Sequence, residues 1–287
     1  MTMKLAFNNE YPAQIEYSAL LDQLFDKKLD VVQLSKWIES TELEFLMNEV
    51  NDGLSSLERG KAVIPDGFFY PYPYSVIQGE QGKAQEMLKK YFTSAMITNN
   101  DFIAQGIGNV SDWYLRKLEK RFKVKLRHLQ TEFGLEFAKA NLRILETSKN
   151  GIDIHCENAF LHQLTPTFSE WLKSKVDLEN ALSIFSVLQQ PEKGGELFLY
   201  DLDWDTFQHK LNDSTYEQRH TIDGDFFTAR GVRDPQRKSI VLTEGDTIIF
   251  RAAQIWHAIN KIEGDKNRVT LGFFIAQGHD NNLYYWS

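Results

Sequence analysis

The stretch LTEGDTIIFRAAQIWHAINKIEGDKNRVTLGFFIA (242–276) decides how the chain is read. It holds three short apolar runs, 246–251 (DTIIFR), 255–262 (IWHAINKI) and 267–276 (NRVTLGFFIA), rich in β-branched and aromatic residues. Turn residues separate them: Glu244-Gly245-Asp246 ahead of the first run and EGDKN (263–267) between the last two. Runs this short between turn signals read as strands.

The same texture extends outward from there. Further candidate strands are 141–146 (NLRILE), 151–157 (GIDIHCE), 181–189 (ALSIFSVLQ), 195–201 (GELFLYD) and 239–243 (SIVLT). About eight short strands without alternating helices favour a double-sheet jelly roll over a parallel α/β sheet. The first half is different. Thr41 and Glu44 form a capping-box signature ahead of LEFLMNEV (43–50), and 83–97 and 112–126 show helical spacing under a charged, solvated face. Between them GFFYPYPYSVIQG (67–79) contains two prolines, which forbid a regular helix there. The expected fold is mainly β with α. It has a double-sheet jelly-roll core over 139–287 and a mainly helical N-terminal layer over 1–138, in a single domain 1–287. The polar stretch 202–238 is a solvated excursion or a lid; over 213–238, Arg219, Arg230, Arg233, Arg237 and Lys238 are balanced by Asp213, Glu217, Asp223, Asp225 and Asp234.

Composition narrows the function classes. Lys plus Arg total 32 against 40 Asp plus Glu, a formal charge of −8, which argues against a nucleic-acid partner. The lone cysteine, Cys156, excludes an internal disulfide framework and a Cys-rich zinc site, and reads as a small packing residue. The N-terminal apolar run Leu5 to Phe7 is too short for a signal-peptide core, and no stretch approaches the roughly 20 apolar residues of a membrane span. A cytoplasmic protein acting on a small molecule is expected, with no nucleic acid and no membrane as partner. Aromatic residues make up 13% of the chain, a surplus that fills a core or lines an apolar pocket.

The chemistry-bearing residues start with His155-Cys156-Glu157. On a strand, positions two apart share a face, so imidazole and carboxylate converge. Two histidines and one carboxylate with open positions form the facial triad of non-haem Fe(II) oxygenases. One such His-x-acid pair is expected by chance in a chain of this make-up, about one in all, so the pair alone decides nothing. His257 in IWHAINKI is either the third ligand or a hydrogen-bonded structural histidine. Arg268 and Thr270 stand on one strand face further on, where a guanidinium and a hydroxyl suit the far carboxylate of 2-oxoglutarate. A histidine with arginine ten residues later also occurs at His209/Arg219 and His220/Arg230, but there without strand patterns. Asp153 shares the strand parity of His155 and is a substitute ligand or a surface acid; His162 and His279 read as surface residues.

Together, NLRILETSKNGIDIHCENAF (141–160), GGELFLYDLDW (194–204), the stretch 242–276 and the tail LYYWS (283–287) resemble Fe(II)/2-oxoglutarate-dependent oxygenases. The resemblance is closest to the freestanding indole-alkaloid (hapalindole- and welwitindolinone-type) aliphatic halogenases, and it is strongest over 139–287. It implies a double-stranded β-helix (jelly roll, cupin-like) core, with His155, Glu157 and His257 as metal ligands and Arg268 with Thr270 on 2-oxoglutarate. The implied cofactors are Fe(II), 2-oxoglutarate as co-substrate, and O2. Those halogenases carry glycine where this chain has Glu157, and the vacancy admits chloride to the iron. The retained carboxylate therefore implies hydroxylation of an unactivated C–H bond, with release of succinate and CO2. A desaturase, cyclase or halogenase on the same scaffold is the rival within enzymes, and a non-catalytic jelly-roll binding protein the rival outside them. Asn158, Phe160, Phe69, Tyr72 and Tyr74 are placed at the substrate border, with core packing as the alternative.

Overall fold

Each long strand of the second half buries one face or both, which is what its apolar runs require. The computed structural model describes residues 3–7, 17–57, 69–70, 107–130, 136–147, 151–161, 166–213, 226–227 and 235–287. In chain order the elements are β1 (Leu5–Phe7), α1 (Tyr17–Phe25), β2 (Val31–Leu34), α2 (Ser40–Leu57), β3 (Phe69–Tyr70), α3 (Ile107–Phe122) and β4 (Leu126–His128). Then come β5 (Asn141–Leu145), β6 (Ile152–His155), α4 (Glu157–Leu161), α5 (Pro166–Lys175), a 3-10 turn (Leu178–Asn180), β7 (Leu182–Gln189), β8 (Lys193–Gly194) and β9 (Leu197–Asp203). The last are α6 (Trp204–Asp213), β10 (Arg237–Ile240), β11 (Thr247–Phe250), β12 (Ile255–Ile259), β13 (Ile262–Glu263), β14 (Arg268–Gln277) and β15 (Leu283–Trp286). The segment 83–97, His162, His220, most of 67–79 and most of 214–234 lie outside the described residues.

Two sheets carry the fold. The larger runs β1-β2-β11-β7-β14-β15-β4. The first half of β14 pairs with β5, and its second half with β15 on the same side. The smaller sheet runs β10-β9-β12-β6, antiparallel throughout. The apolar interior between them includes Val187, Ile248 and Phe250 from the larger sheet and Leu197, Leu199, Ile255 and Ile259 from the smaller. This is the jelly roll, with one departure. The first half of the chain is not only helical: it adds β1 and β2 to one edge of the larger sheet, β4 to the other and β3 beside β5. LAF and VVQL are too short to stand out as strands by pattern.

Helices α1, α2 and α3 pack on the outer face of the larger sheet, where Leu24, Leu46, Tyr114 and Phe122 meet Ile184, Leu271 and Phe273. Full burial of a leucine such as Leu24 or Leu46 stabilises by about 1.5–3 kcal/mol. The Tyr114 hydroxyl also hydrogen-bonds Ser186 Oγ at 2.7 Å, and Ser186 Oγ bonds Thr247 Oγ1. The capping box lies two residues earlier than Thr41 and Glu44: the Glu39 backbone N–H donates to the Glu42 carboxylate at 2.9 Å, and α2 starts at Ser40. On the outer face of the smaller sheet, Trp204 and Phe207 of α6 and Phe226-Phe227 surround Trp256. Of the 202–238 stretch, residues 202–213, 226–227 and 235–238 are described, the last entering β10. No described helix is long and apolar enough to cross a membrane.

Candidate metal centre

His155 is the last residue of β6, and His257, in the middle of β12, is its register partner. Their ring centroids are 4.1 Å apart. Glu157 completes the group, and ligand atoms of all three residues lie within 4.8 Å of one another. Among the described residues this is the one cluster of histidine, cysteine and acid side chains with that geometry.

Glu157 arrives differently from the expectation of shared strand parity. It is the first residue of α4, because the chain leaves the β6 ladder after His155. The Glu157 N–H donates to the Ala252 carbonyl at 3.1 Å and the Asn158 N–H to the Ala253 carbonyl at 3.2 Å. Asn158 Nδ2 donates to the Glu179 carbonyl at 3.2 Å, as does Gln254 Nε2 at 2.9 Å. These contacts from distant segments hold the start of α4, and with it Glu157, beside the imidazoles.

The histidines are set up as neutral ligands. His155 Nδ1 sits 2.6 Å from the Asp153 carbonyl and His257 Nδ1 2.8 Å from the Ile255 carbonyl. A carbonyl only accepts, so each Nδ1 carries the proton and each Nε2 keeps its lone pair. Burial lowers both basicities: His155 falls to about 4 and His257 falls well below the usual imidazole value. Burial pushes the Glu157 carboxyl up to about 7, against the opposing pull of Arg143. Two neutral imidazoles and one carboxylate are the donor set of a divalent first-row metal ion.

Beside the cluster lies a cavity of about 40 Å3, lined by Arg143, Arg268, Thr270, Asn141, Ser183 and Phe185 among others. Arg268 and Thr270 project from β14, and Arg143 of β5 is the register partner of Thr270, so all three share one sheet face. Arg268 is 2% exposed, and its buried Nε has no hydrogen-bond partner. Burial lowers Arg268 to about 9 and Arg143 to about 10. The Phe185 ring lies 5.5 Å from the Arg268 guanidinium carbon. Gly195, at φ +73°, leaves room for this side chain, since a Cβ there would fall 2.9 Å from Arg268 Cδ. Arg143 was missed by sequence reading. Its signal was present: it shares strand parity with Asn141, and both face the interior.

Of the other residues singled out by sequence, Asp153 is exposed and contributes its carbonyl to His155 rather than a carboxylate to the cluster. Cys156 is fully buried and unpaired, and His279 is exposed. Asn158 is buried, with its amide on the Glu179 carbonyl. Phe160 lies in α4, and Phe69 occupies the β3 position opposite Arg143. Tyr72 and Tyr74 lie outside the described residues.

Residues 16–287 match the family model described as carrier-protein-independent halogenase WelO5. No curated protein matches the chain. Among solved structures, an N-substituted L-amino acid dioxygenase from Burkholderia ambifaria AMMD is similar, with a TM-score of 0.63 and 16% identity over 94% of this chain and 91% of that one. The same dioxygenase in complex with alpha-KG gives a TM-score of 0.61 and 15% identity over 94% and 91%. At that identity the likeness shows a shared fold.

Proposed function

The chain belongs to the family described as carrier-protein-independent halogenase WelO5, and from that premise we propose an Fe(II)- and 2-oxoglutarate-dependent dioxygenase. It hydroxylates an unactivated C–H bond of a small, apolar, natural-product-like molecule and releases succinate and CO2. One observation carries the reading: Glu157 stands within 4.8 Å of the ligand atoms of both His155 and His257. A carboxylate there takes the position that a halide would need, so hydroxylation is supported over halogenation.

Each side chain has a part. His155 and His257 hold the ion through Nε2, their rings fixed by the Asp153 and Ile255 carbonyls. Glu157 supplies the one protein anion, which offsets part of the metal charge. The bound iron, 2-oxoglutarate and O2 supply the oxidising chemistry. Arg268 and Thr270 bind the far carboxylate of the co-substrate. The unpartnered Arg268 Nε, in a cavity that also holds Arg143, fits that role. A buried guanidinium whose Nε is unpartnered is matched by a carboxylate of the co-substrate. Phe185 and Phe274 form part of the cavity wall.

Succinate release is expected to require Fe(II) and 2-oxoglutarate together, and product made in chloride-containing buffer is expected to carry oxygen and no halogen. A chlorinated product with Glu157 intact overturns the hydroxylase reading. Absence of iron-dependent 2-oxoglutarate binding overturns the enzyme reading altogether.

A further inference from the structure

A buried ion pair that does not line the cavity bears on the metal ligands. Arg251 Nη1 donates to Asp30 Oδ1 at 2.8 Å, with side chains only 4% and 3% exposed. The second Asp30 oxygen accepts from the Lys4 backbone N–H at 2.9 Å, and the Arg251 N–H donates to the Asp30 carbonyl at 3.1 Å. Asp30 immediately precedes β2, and Arg251 comes directly after β11. The pair thus closes the end of the β2–β11 ladder, where Val31 faces Phe250.

Arg251 also opens the turn that leads into β12. Its carbonyl accepts from the Gln254 and Ile255 N–H groups at 3.0 and 2.9 Å. The Ala252 carbonyl then holds Glu157 N–H, the Ala253 carbonyl holds Asn158 N–H, and the Ile255 carbonyl holds His257 Nδ1. A single turn therefore grips two of the three ligands, and Asp30 anchors its first residue through both backbone and side chain.

We propose that the Asp30–Arg251 pair is a positioning device for the metal centre, fixing the turn at 251–255 so that Glu157 and His257 converge with His155. The proposal rests on the metal reading above. It gives the first part of the chain a role in the chemistry of the second. Partners that orient metal ligands without touching the ion typically change metal affinity by about 10- to 100-fold.

The test separates orientation from mere stability. Removing one member of a buried pair strands a charge, whereas replacing both by apolar side chains of similar volume is often neutral for stability. The main variant therefore combines Asp30→Leu with Arg251→Met, and Arg251→Lys is the conservative partner. Asp246→Ala is the control: this buried carboxylate accepts from Lys36 N–H, Thr243 N–H and Thr243 Oγ1 at 2.8, 2.8 and 3.0 Å and touches no ligand. Thermal melting of the metal-free proteins and Co(II) titration monitored by visible ligand-field absorption are the readouts.

The double variant is expected to melt near the wild type, to bind Co(II) about tenfold more weakly and to show an altered absorption band. Arg251→Lys should fall between, and Asp246→Ala should melt lower with Co(II) affinity unchanged. Should the double variant fail to fold, an Arg251→Lys protein with wild-type Co(II) affinity and spectrum overturns the proposal. Wild-type binding by the double variant, or equal loss in Asp246→Ala, also overturns it. A wild type that binds no Co(II) overturns the metal reading and the proposal together.

Discussion

Arg251 and Arg268 are buried to the same degree, 3% and 2% exposed, and their surroundings are opposite. Arg251 meets Asp30, a carboxylate from its own chain, whose two oxygens accept from Arg251 Nη1 and the Lys4 N–H. Arg268 meets Thr270, Phe185 and the cavity, and no described carboxylate pairs with it. Placing a cation in a low-dielectric interior is costly unless a counter-charge accompanies it. The first arginine has that counter-charge in the fold. The second lacks it, and its lowered basicity records the cost. A buried charge matched internally serves architecture, whereas one left unmatched beside a cavity is reserved for a ligand.

Substituting each arginine separates the two roles. The largest effect is expected for Arg251→Ala, which leaves Asp30 buried and alone: about 3–5 kcal/mol of stability lost, read as a lower denaturation midpoint at constant slope. Arg268→Met should leave the stability of the metal-free protein unchanged or slightly raised. Its 2-oxoglutarate affinity should fall about 100-fold, as expected for losing a bidentate charge-assisted contact, measured by calorimetry with Fe(II) present. If Arg268→Met destabilises as much as Arg251→Ala, the contrast is wrong.

A pH series tests the anion at the metal centre. With the Glu157 carboxyl raised to about 7, metal must displace a proton below that value, while the imidazoles are already neutral. Co(II) affinity should therefore be flat above pH 7 and fall about tenfold per unit below it, toward the acid range where His155 also charges. The smallest effect belongs to Thr270→Val, which deletes one hydroxyl beside Arg268. A two- to tenfold weakening of 2-oxoglutarate is expected, about 0.5–1.5 kcal/mol.

The difference between the two arginines also explains what could be read beforehand. Arg268 and Thr270 stand on a strand whose pattern predicts it over 267–276, and the structure places β14 at Arg268–Gln277. His257 sits likewise within a predicted strand, and its pairing with His155 is a consequence of both strands sharing one sheet. Glu157 fell outside that logic. Local alternation continues through GIDIHCE, but the backbone there is governed by the carbonyls of Ala252 and Ala253, contributed by another segment. Arg143 was hidden by a different rule. Polar alternation in NLRIL reads as a solvent face, whereas here the polar side lines a cavity and the apolar Leu142 and Ile144 pack under the helices. Arg251 and Asp30 carry no local mark at all, since neither residue's neighbours announce a partner 221 positions away.

That separation has a kinetic meaning. Joining Asp30 to Arg251 closes a loop spanning most of the chain, and β2 and β11 cannot pair until both have formed. Long-range pairing of this kind is slow, because the entropy of loop closure is lost before contacts reward it. Helices α1 and α3 meet each other through Tyr17 and Phe122, and the β14–β15 hairpin pairs neighbours in sequence, so these local contacts can form before the two halves meet. Refolding should then regain most helical signal early and Co(II) competence late, with the final rate set by the meeting of the chain's two ends.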